Sequence, residues 1–189
     1  MLILASKSPR RKELLRSAEI EFKTVSADVD ETALPDEHPE AYVIRLAVAK
    51  AVEGAKNLPE SGTKNLCFLG ADTAVVIEGE ILGKPESVEN AYEMLQKLSG
   101  KTHTVMSAYC LFKPAENSMI KKCVKTSVTF NKLSRSEIED YLIKKEWEDK
   151  AGAYAIQGEA SKFIKELSGS FTSVVGLPLP ELLKDLKNK

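Results

Sequence analysis

The chain has 189 residues, 27 of them Lys or Arg and 28 Asp or Glu, for a net charge of −1. That balance excludes a protein that holds nucleic acid by bulk charge, because phosphate-backbone affinity needs a clear basic excess. Hydrophobic residues at 43% and charged residues at 29% belong to a globular chain with enough length for a sizeable core, while the apolar runs fall far short of the roughly 18–20 residues that cross a bilayer. One domain is the expectation by length, with two small lobes as the alternative. Cys67, Cys110 and Cys123 are odd in number, widely spaced and set in apolar stretches, which suits reduced structural thiols better than a disulfide framework or a zinc site. Met1–Ala5 is too short for a signal peptide and lacks a basic leader, so the expected location is the cytoplasm.

In chain order, Leu2–Ala5 reads as a strand, and Ser8-Pro9 as an N-cap followed by proline in the first turn of a helix whose buried side is Leu14, Leu15 and Ala18. A second strand is expected over Phe22–Ser26, and the acidic, proline-bearing stretch Ala27–Pro39 has no period and reads as a loop. Helical spacing of Val43, Leu46, Ala47 and Ala51 predicts a helix over Glu40–Lys56, followed by a connection over Asn57–Asn65. Leu66–Leu69 and Ala74–Ile77 read as strand-like stretches on either side of Gly70-Ala71-Asp72-Thr73, with a turn at Glu78–Glu80 before Ile81-Leu82. Ala91, Met94, Leu95 and Leu98 form the apolar face of a helix that stops at Ser99-Gly100. Thr102–Phe112 and Ile120–Phe130 predict a long hairpin, Ser134–Glu137 a capping box that opens a helix through Ile138, Tyr141 and Leu142, and Pro180–Lys189 a terminal helix. Strands and helices mix without strict alternation, which predicts a mixed α/β fold around a curved sheet.

Several stretches carry chemistry. Ser6-Lys-Ser-Pro-Arg10-Arg11 places hydroxyls and guanidiniums at a helix N-terminus, suited to an anion, although a capped surface helix with exposed arginines fits the same pattern. Lys50 falls on the inward stripe of its helix, so its ammonium either snorkels to solvent or meets an anion in a cleft. Asp72 ends a strand between small, apolar neighbours, where a carboxylate needs a partner, and the choices are metal ligand, base for water or turn cap. Glu31 is a second possible metal ligand in an otherwise solvated acidic loop; Gly83-Lys84-Pro85 is either a ligand-approaching turn or an ordinary one. His103 reads as a satisfied core histidine and His38 as loop, while Gln157 in Ala151–Gly158 offers an amide that can read a base edge, unless the segment is a strand ending in a turn. The usual nucleotide fingerprints, the Gly-rich phosphate loop and G-x-G-x-x-G, are absent, as is a serine or cysteine triad.

Taken in order, Ala-Ser-Lys-Ser-Pro-Arg-Arg at 5–11, Val-Asp-Glu at 29–31, Leu-Ala-Val-Ala-Lys-Ala at 46–51, Gly-Ala-Asp-Thr at 70–73, Gly-Lys-Pro at 83–85, Leu-Ser-Gly-Lys-Thr-His at 98–103, Asp-Lys-Ala-Gly-Ala-Tyr-Ala-Ile-Gln-Gly at 149–158 and Val-Gly-Leu-Pro-Leu at 175–179 resemble the Maf family of nucleoside triphosphate pyrophosphatases. The resemblance runs over nearly the whole chain. It implies a single Maf-like domain over 1–189 with two lobes around a cleft, similar to the inosine triphosphate pyrophosphatase fold, and commonly a homodimer. It also implies metal-dependent hydrolysis, with Mg²⁺ or Mn²⁺, of a nucleoside triphosphate to the monophosphate and pyrophosphate.

Carried over residue by residue, the resemblance makes Asp72 the proton acceptor and ties Arg10, Thr73 and Gln157 to substrate choice. Ser8, Arg11, Glu31, Lys50 and Lys84 fall in the surrounding polar site, Lys50 and Lys84 beside the reacting groups and Glu31 with Asp72 as metal ligands. Asp-Lys-Ala-Gly-Ala-Tyr with Gln157 is similar to the branch acting on dTTP and UTP, whereas the branch acting on 7-methylguanosine triphosphate has Cys and Glu at the positions of Lys150 and Gln157. Lys-Lys-Glu-Trp-Glu before Asp149 departs from the Gly-Glu-Pro-type turn of relatives. Two other readings fit the same cleft: a nucleotide-binding regulator of septum formation, and a pyrophosphatase for noncanonical purine triphosphates. No nucleic-acid or membrane partner is expected.

Overall fold

The computed structural model describes residues 1–58 and 65–187. Most of the connection expected over Asn57–Asn65, and the last two residues of the expected terminal helix, lie outside the described residues. The chain opens with β1 (Leu2–Ala5), α1 (Pro9–Ser17) and β2 (Phe22–Val25), then α2 (Pro39–Lys56), β3 (Cys67–Ile77), β4 (Glu80–Leu82) and α3 (Val88–Leu98). A long hairpin of β5 (Thr102–Lys113) and β6 (Ser118–Phe130) follows, then α4 (Arg135–Ile143), β7 (Ile164–Ser168), α5 (Phe171–Val175) and α6 (Leu179–Lys187). The strands form one mixed sheet in the order β2-β1-β3-β5-β6-β7, with β4 paired to β3. β1 runs parallel to β2 and β3, and the other pairings are antiparallel. Helices flank this sheet, as the mixed α/β reading expects.

Side-chain alternation on β3 divides the core between the two faces of the sheet. Leu69, Ala71, Val75 and Ile77 point to a cluster shared with α1, α3, α4 and α6, while Phe68, Ala74 and Val76 point to Val43, Ala47 and Ala51 of α2. Burying a Val or Leu such as Val43 or Leu46 contributes roughly 1.5–3 kcal/mol each, which explains why the stripe read in the sequence is the face α2 presents. Gly70 sets how close α2 comes: a Cβ there would lie 2.1 Å from the Ala47 carbonyl oxygen and 2.5 Å from the Ala51 nitrogen. Any side chain at 70 would push the helix bearing Lys50 away from the strand bearing Asp72.

The structure departs from expectation in places that matter for the site. β3 is one eleven-residue strand rather than two pieces, so Asp72 sits in its middle and not at a strand end. Pairing with β5 runs unbroken from Phe68 to Val76 and carries the strand through Gly70–Thr73. On its other side β3 pairs with β1 only over 67–69 and with β4 only over 75–77, which leaves a notch in the sheet at 70–74. Residues 151–158 form a 3-10 turn and loop rather than a strand. Ser8 takes the N-cap position of α1 but its hydroxyl makes no cap bond, and the first turn carries no acidic residue. His38 is the N-cap of α2, its Nδ1 accepting from the Glu40 nitrogen at 3.3 Å. The capping box of Ser134 and Glu137 forms as read. β7 and α5 are the elements the sequence reading lacks.

Candidate active site

The notch in β3 opens into a cleft of about 1030 Å³ lined from both faces of the sheet. Asp72 and Thr73 are neighbours on a strand and point to opposite faces, yet both line the cleft, because the cavity wraps the unpaired edge at 70–74. All nine residues singled out for the site, Ser8, Arg10, Arg11, Glu31, Lys50, Asp72, Thr73, Lys84 and Gln157, line this one cavity. A chance scatter over 150 residues of sequence would not converge in this way.

The centre is a shared ammonium. Lys50 Nζ lies 2.7 Å from Asp72 Oδ1 and 2.6 Å from Glu31 Oε1, and Lys50 and Asp72 are each 8% exposed. The two carboxylates share the Lys50 ammonium, and Lys84 adds a second, more exposed ammonium at 3.7 Å from Glu31 Oε2. Burial works to raise the Glu31 carboxyl, but the Lys50 hydrogen bond and charge, with Lys84 and Arg11 behind them, hold it below the usual carboxylate range. Both readings left open for Lys50 are thereby decided: it does not snorkel but meets anions in the cleft.

Glu31 reaches this point because its loop, exposed as the acidic composition suggests, is also fastened. Tyr42 Oη of α2 donates to the Glu31 carbonyl oxygen at 2.9 Å, and Arg45 donates to the Thr32 carbonyl oxygen at 3.1 Å while clasping both oxygens of Glu37 at 2.6 and 2.7 Å. Burial, then the Asp72 and Glu31 charges, push the Tyr42 hydroxyl up to about 12. Sequence reading missed Tyr42 and Arg45. Their signal was positional: they face the acidic loop from the first turns of α2, each one residue before a member of the apolar stripe, Val43 and Leu46.

Arg11 is placed differently from Arg10. It is buried, and its Nε donates to the Gly176 carbonyl oxygen at 2.9 Å, Nη1 to Ser6 Oγ at 3.1 Å and Nη2 to Thr73 Oγ1 at 3.4 Å. Gly176 turns at φ +132, a left-handed value that favours glycine, and ends α5 beside this guanidinium. Thr73 Oγ1 lies 2.7 Å from Ser107 Oγ, which donates to the Ser173 carbonyl oxygen at 2.6 Å. Arg11 and Thr73 thus belong to a network that ties α1, β3, β5 and α5 together under the cleft. Arg10 is only half-buried; desolvation lowers its pKa, opposed by Asp149 and Glu13. Desolvation and the nearby Arg10 likewise lower Lys150. Lys84 and Gln157 are exposed on the cleft rim. A Cβ at Gly83 would meet nothing within 4 Å, so the protein itself does not require glycine there.

Comparison with known proteins agrees with the geometry. The profile of the family described as "Maf-like protein" matches residues 1–189. A dTTP/UTP pyrophosphatase of Hydrogenovibrio crunogenus is 46% identical over 186 residues, covering 98% of this chain and 94% of its own. One of Pseudoalteromonas atlantica is 50% identical over 181 residues, covering 96% and 93%. Among solved structures, the Ham1 protein of Staphylococcus aureus is similar at a TM-score of 0.42 and 14% identity, covering 68% of this chain and 71% of its own. With the family profile spanning every residue and relatives near half identical over almost the full length, the chain belongs to the Maf family.

Proposed function

We propose that the protein hydrolyses nucleoside triphosphates, dTTP and UTP above others, to the monophosphate and pyrophosphate, with Mg²⁺ or Mn²⁺ as cofactor. The observation that carries this reading is the convergence of Asp72 and Glu31 on one point inside a cleft with a cationic rim. Two hard carboxylates suit Mg²⁺, which is held by one or two such groups and completes its oxygen shell with water and substrate phosphates. No group of three or more His, Cys, Asp or Glu that could hold a metal occurs among the described residues, so the phosphates are needed to finish the site. When bound, the ion neutralises charge developing on the leaving pyrophosphate.

The chain's own residues do the rest. Arg10 and Lys84 draw the triphosphate into the cleft, assisted by Ser8 at the N-terminus of α1. Asp72, with Oδ1 held by Lys50, uses Oδ2 to take the proton of a water whose oxygen attacks the α-phosphorus, and the bond to the bridging oxygen of the β-phosphate breaks. Lys50 keeps Glu31 ionised and bridges it to Asp72 until substrate arrives. Arg11 and Thr73 set the floor, and Gln157 offers one acceptor and one donor to the N3–H and adjacent carbonyl of uracil or thymine. The names of the relatives favour the same pyrimidine substrates. We further propose one two-lobed domain over 1–189, a homodimer and a cytoplasmic location, the dimer to be checked by light scattering against a chain mass of 20.8 kDa. The deciding assay is pyrophosphate release from dTTP and UTP with each metal, abolished by chelation. Orthophosphate alone, or no turnover with either metal, overturns the reading.

A further inference from the structure

His103 does not serve the core as a core residue should. It is 2% exposed on β5, its ring edge-on to Phe130 at 5.0 Å and to Tyr154 at 5.5 Å, in a cluster that Phe130 and Tyr154 close at 4.9 Å. Its Nε2 lies 2.8 Å from the Tyr154 hydroxyl, but Nδ1 has no hydrogen-bond partner among the described residues. Burial pushes the imidazole down to about 4, so it is neutral at ordinary pH. A phenylalanine would pack in the same aromatic cluster without stranding a buried nitrogen, which costs free energy. What histidine adds is one bond, to Tyr154.

Tyr154 lies in the segment that carries Gln157, and both line the cleft. The segment passes through Asp149, Gly152 and Ala153 at positive φ and so builds no regular ladder. Separate ties hold it: the Gly152 nitrogen donates to the Gly83 carbonyl oxygen at 3.0 Å, the Ala155 nitrogen to Tyr141 Oη at 3.3 Å, and the Glu159 nitrogen to Glu146 Oε2 at 2.8 Å. Of the side chains within the segment, Tyr154 is the one that reaches the sheet by a hydrogen bond. We infer that His103 is a positioning residue that pins Tyr154 to β5 and thereby fixes where residues 154–157 stand in the cleft. The inference rests on the proposed function in that Gln157 is the group so positioned.

Wild type, His103→Phe, Tyr154→Phe and the double variant test it by thermal unfolding, hydrogen–deuterium exchange and steady-state kinetics on UTP. Each single change strands a buried polar atom and lowers Tm by about 2–8 °C, whereas the double variant removes both partners and regains most of that loss. Exchange over 150–158 quickens about tenfold or more in all three variants and not elsewhere. Likewise kcat/KM for UTP falls roughly tenfold in all three, chiefly through KM. A purely structural role predicts that function returns with Tm; the pin predicts a double variant that is stable yet still loose and weak in KM. Exchange and KM that recover with Tm, or that never change in the single variants, overturn the inference. Should wild type fail to turn over UTP, the functional reading falls, and the exchange measurement decides the pin by itself.

Discussion

Asp72 and Asp185 invite comparison, since each accepts from a lysine ammonium at 2.7 Å and the two are 8% and 9% exposed. At Asp185, on α6, the two oxygens are both taken by the sheet: Oδ1 by Lys122 and Oδ2 by the Tyr109 hydroxyl at 2.6 Å. The group fastens the terminal helix to β5 and β6. At Asp72 the ammonium is divided with Glu31, and the site faces a cavity. Burial and a salt bridge are common to both, so neither identifies a catalytic carboxylate. What differs is what the groups face: an ammonium and a hydroxyl from the sheet hold Asp185 against it, whereas at Asp72 two carboxylates share one buried ammonium at the wall of a cavity, open to a further cation.

The strongest way to break this contrast is Asp72→Asn, which keeps volume and removes charge and proton affinity. A positioned base contributes about 10²–10⁴-fold, so kcat should fall by that range with the fold intact by circular dichroism. Near-wild-type kcat would make Asp72 a second Asp185.

His103 sharpens the contrast, being satisfied at one nitrogen and not at the other. Its folded pKa of about 4 lies below the free value of 6.5, so the unfolded chain binds the proton first as pH falls. The stability it preserves is therefore complete above pH 6.5 and is lost progressively as pH falls toward 4, by up to about 3 kcal/mol. Urea titrations at pH 7 and pH 4 should show a smaller acid loss in His103→Phe than in wild type. Parallel losses would mean the imidazole is not the group responsible.

Asp185→Asn is the reciprocal of the first change. It should cost about 1–3 kcal/mol, seen as a lower urea midpoint, with kcat/KM within twofold of wild type. A fall in turnover without a fall in stability would move Asp185 into the active machinery.

Sequence periodicity made the scaffold legible because burial repeats. The stripe of Val43, Leu46, Ala47 and Ala51 placed Lys50 on the inward face of α2, and the capping box at Ser134 and Glu137 formed as read. Asp72 was found by the cost of a carboxylate among apolar residues, although its strand is continuous, because the pairing with β5 that carries it through Gly70–Thr73 is non-local. The fastening of the exposed Glu31 loop was illegible for the same reason: Tyr42 and Arg45 reach it from α2, outside the acidic stretch itself. Arg11, read as a phosphate ligand, already bonds Gly176, Ser6 and Thr73 through three of its five N–H groups. β7 and α5 were missed because their short, half-exposed patterns carry little period and are held by β6 and by the Ser170 cap.

A smaller effect separates the two lysines. Lys50→Gln removes the charge that competes for the carboxylate pair, so Mn²⁺ binding without nucleotide, followed by electron paramagnetic resonance, should tighten about tenfold, near 1.4 kcal/mol. The same change at Lys122 should leave Mn²⁺ binding as it is. Equal behaviour of the two variants would show that Lys50 does not occupy the place of a cation between the carboxylates.

The smallest effect lies within the Asp185 site itself, where Tyr109 and Lys122 both donate to one carboxylate. Tyr109 is fully buried, whereas the Lys122 side chain is 42% exposed. Removing the tyrosine hydroxyl takes a fully buried donor from Asp185 Oδ2, while water can replace an ammonium that is already half in solvent. Lys122→Ala should therefore cost about 0–1 kcal/mol, less than Tyr109→Phe. Even that cost should shrink in 1 M KCl, where the screening length is about 3 Å. Urea unfolding of both variants at low and high salt measures it. If Lys122→Ala proves as costly as Asp185→Asn and insensitive to salt, Asp185 depends on its ammonium as the cleft carboxylates do, and reliance on a lysine no longer distinguishes the two sites.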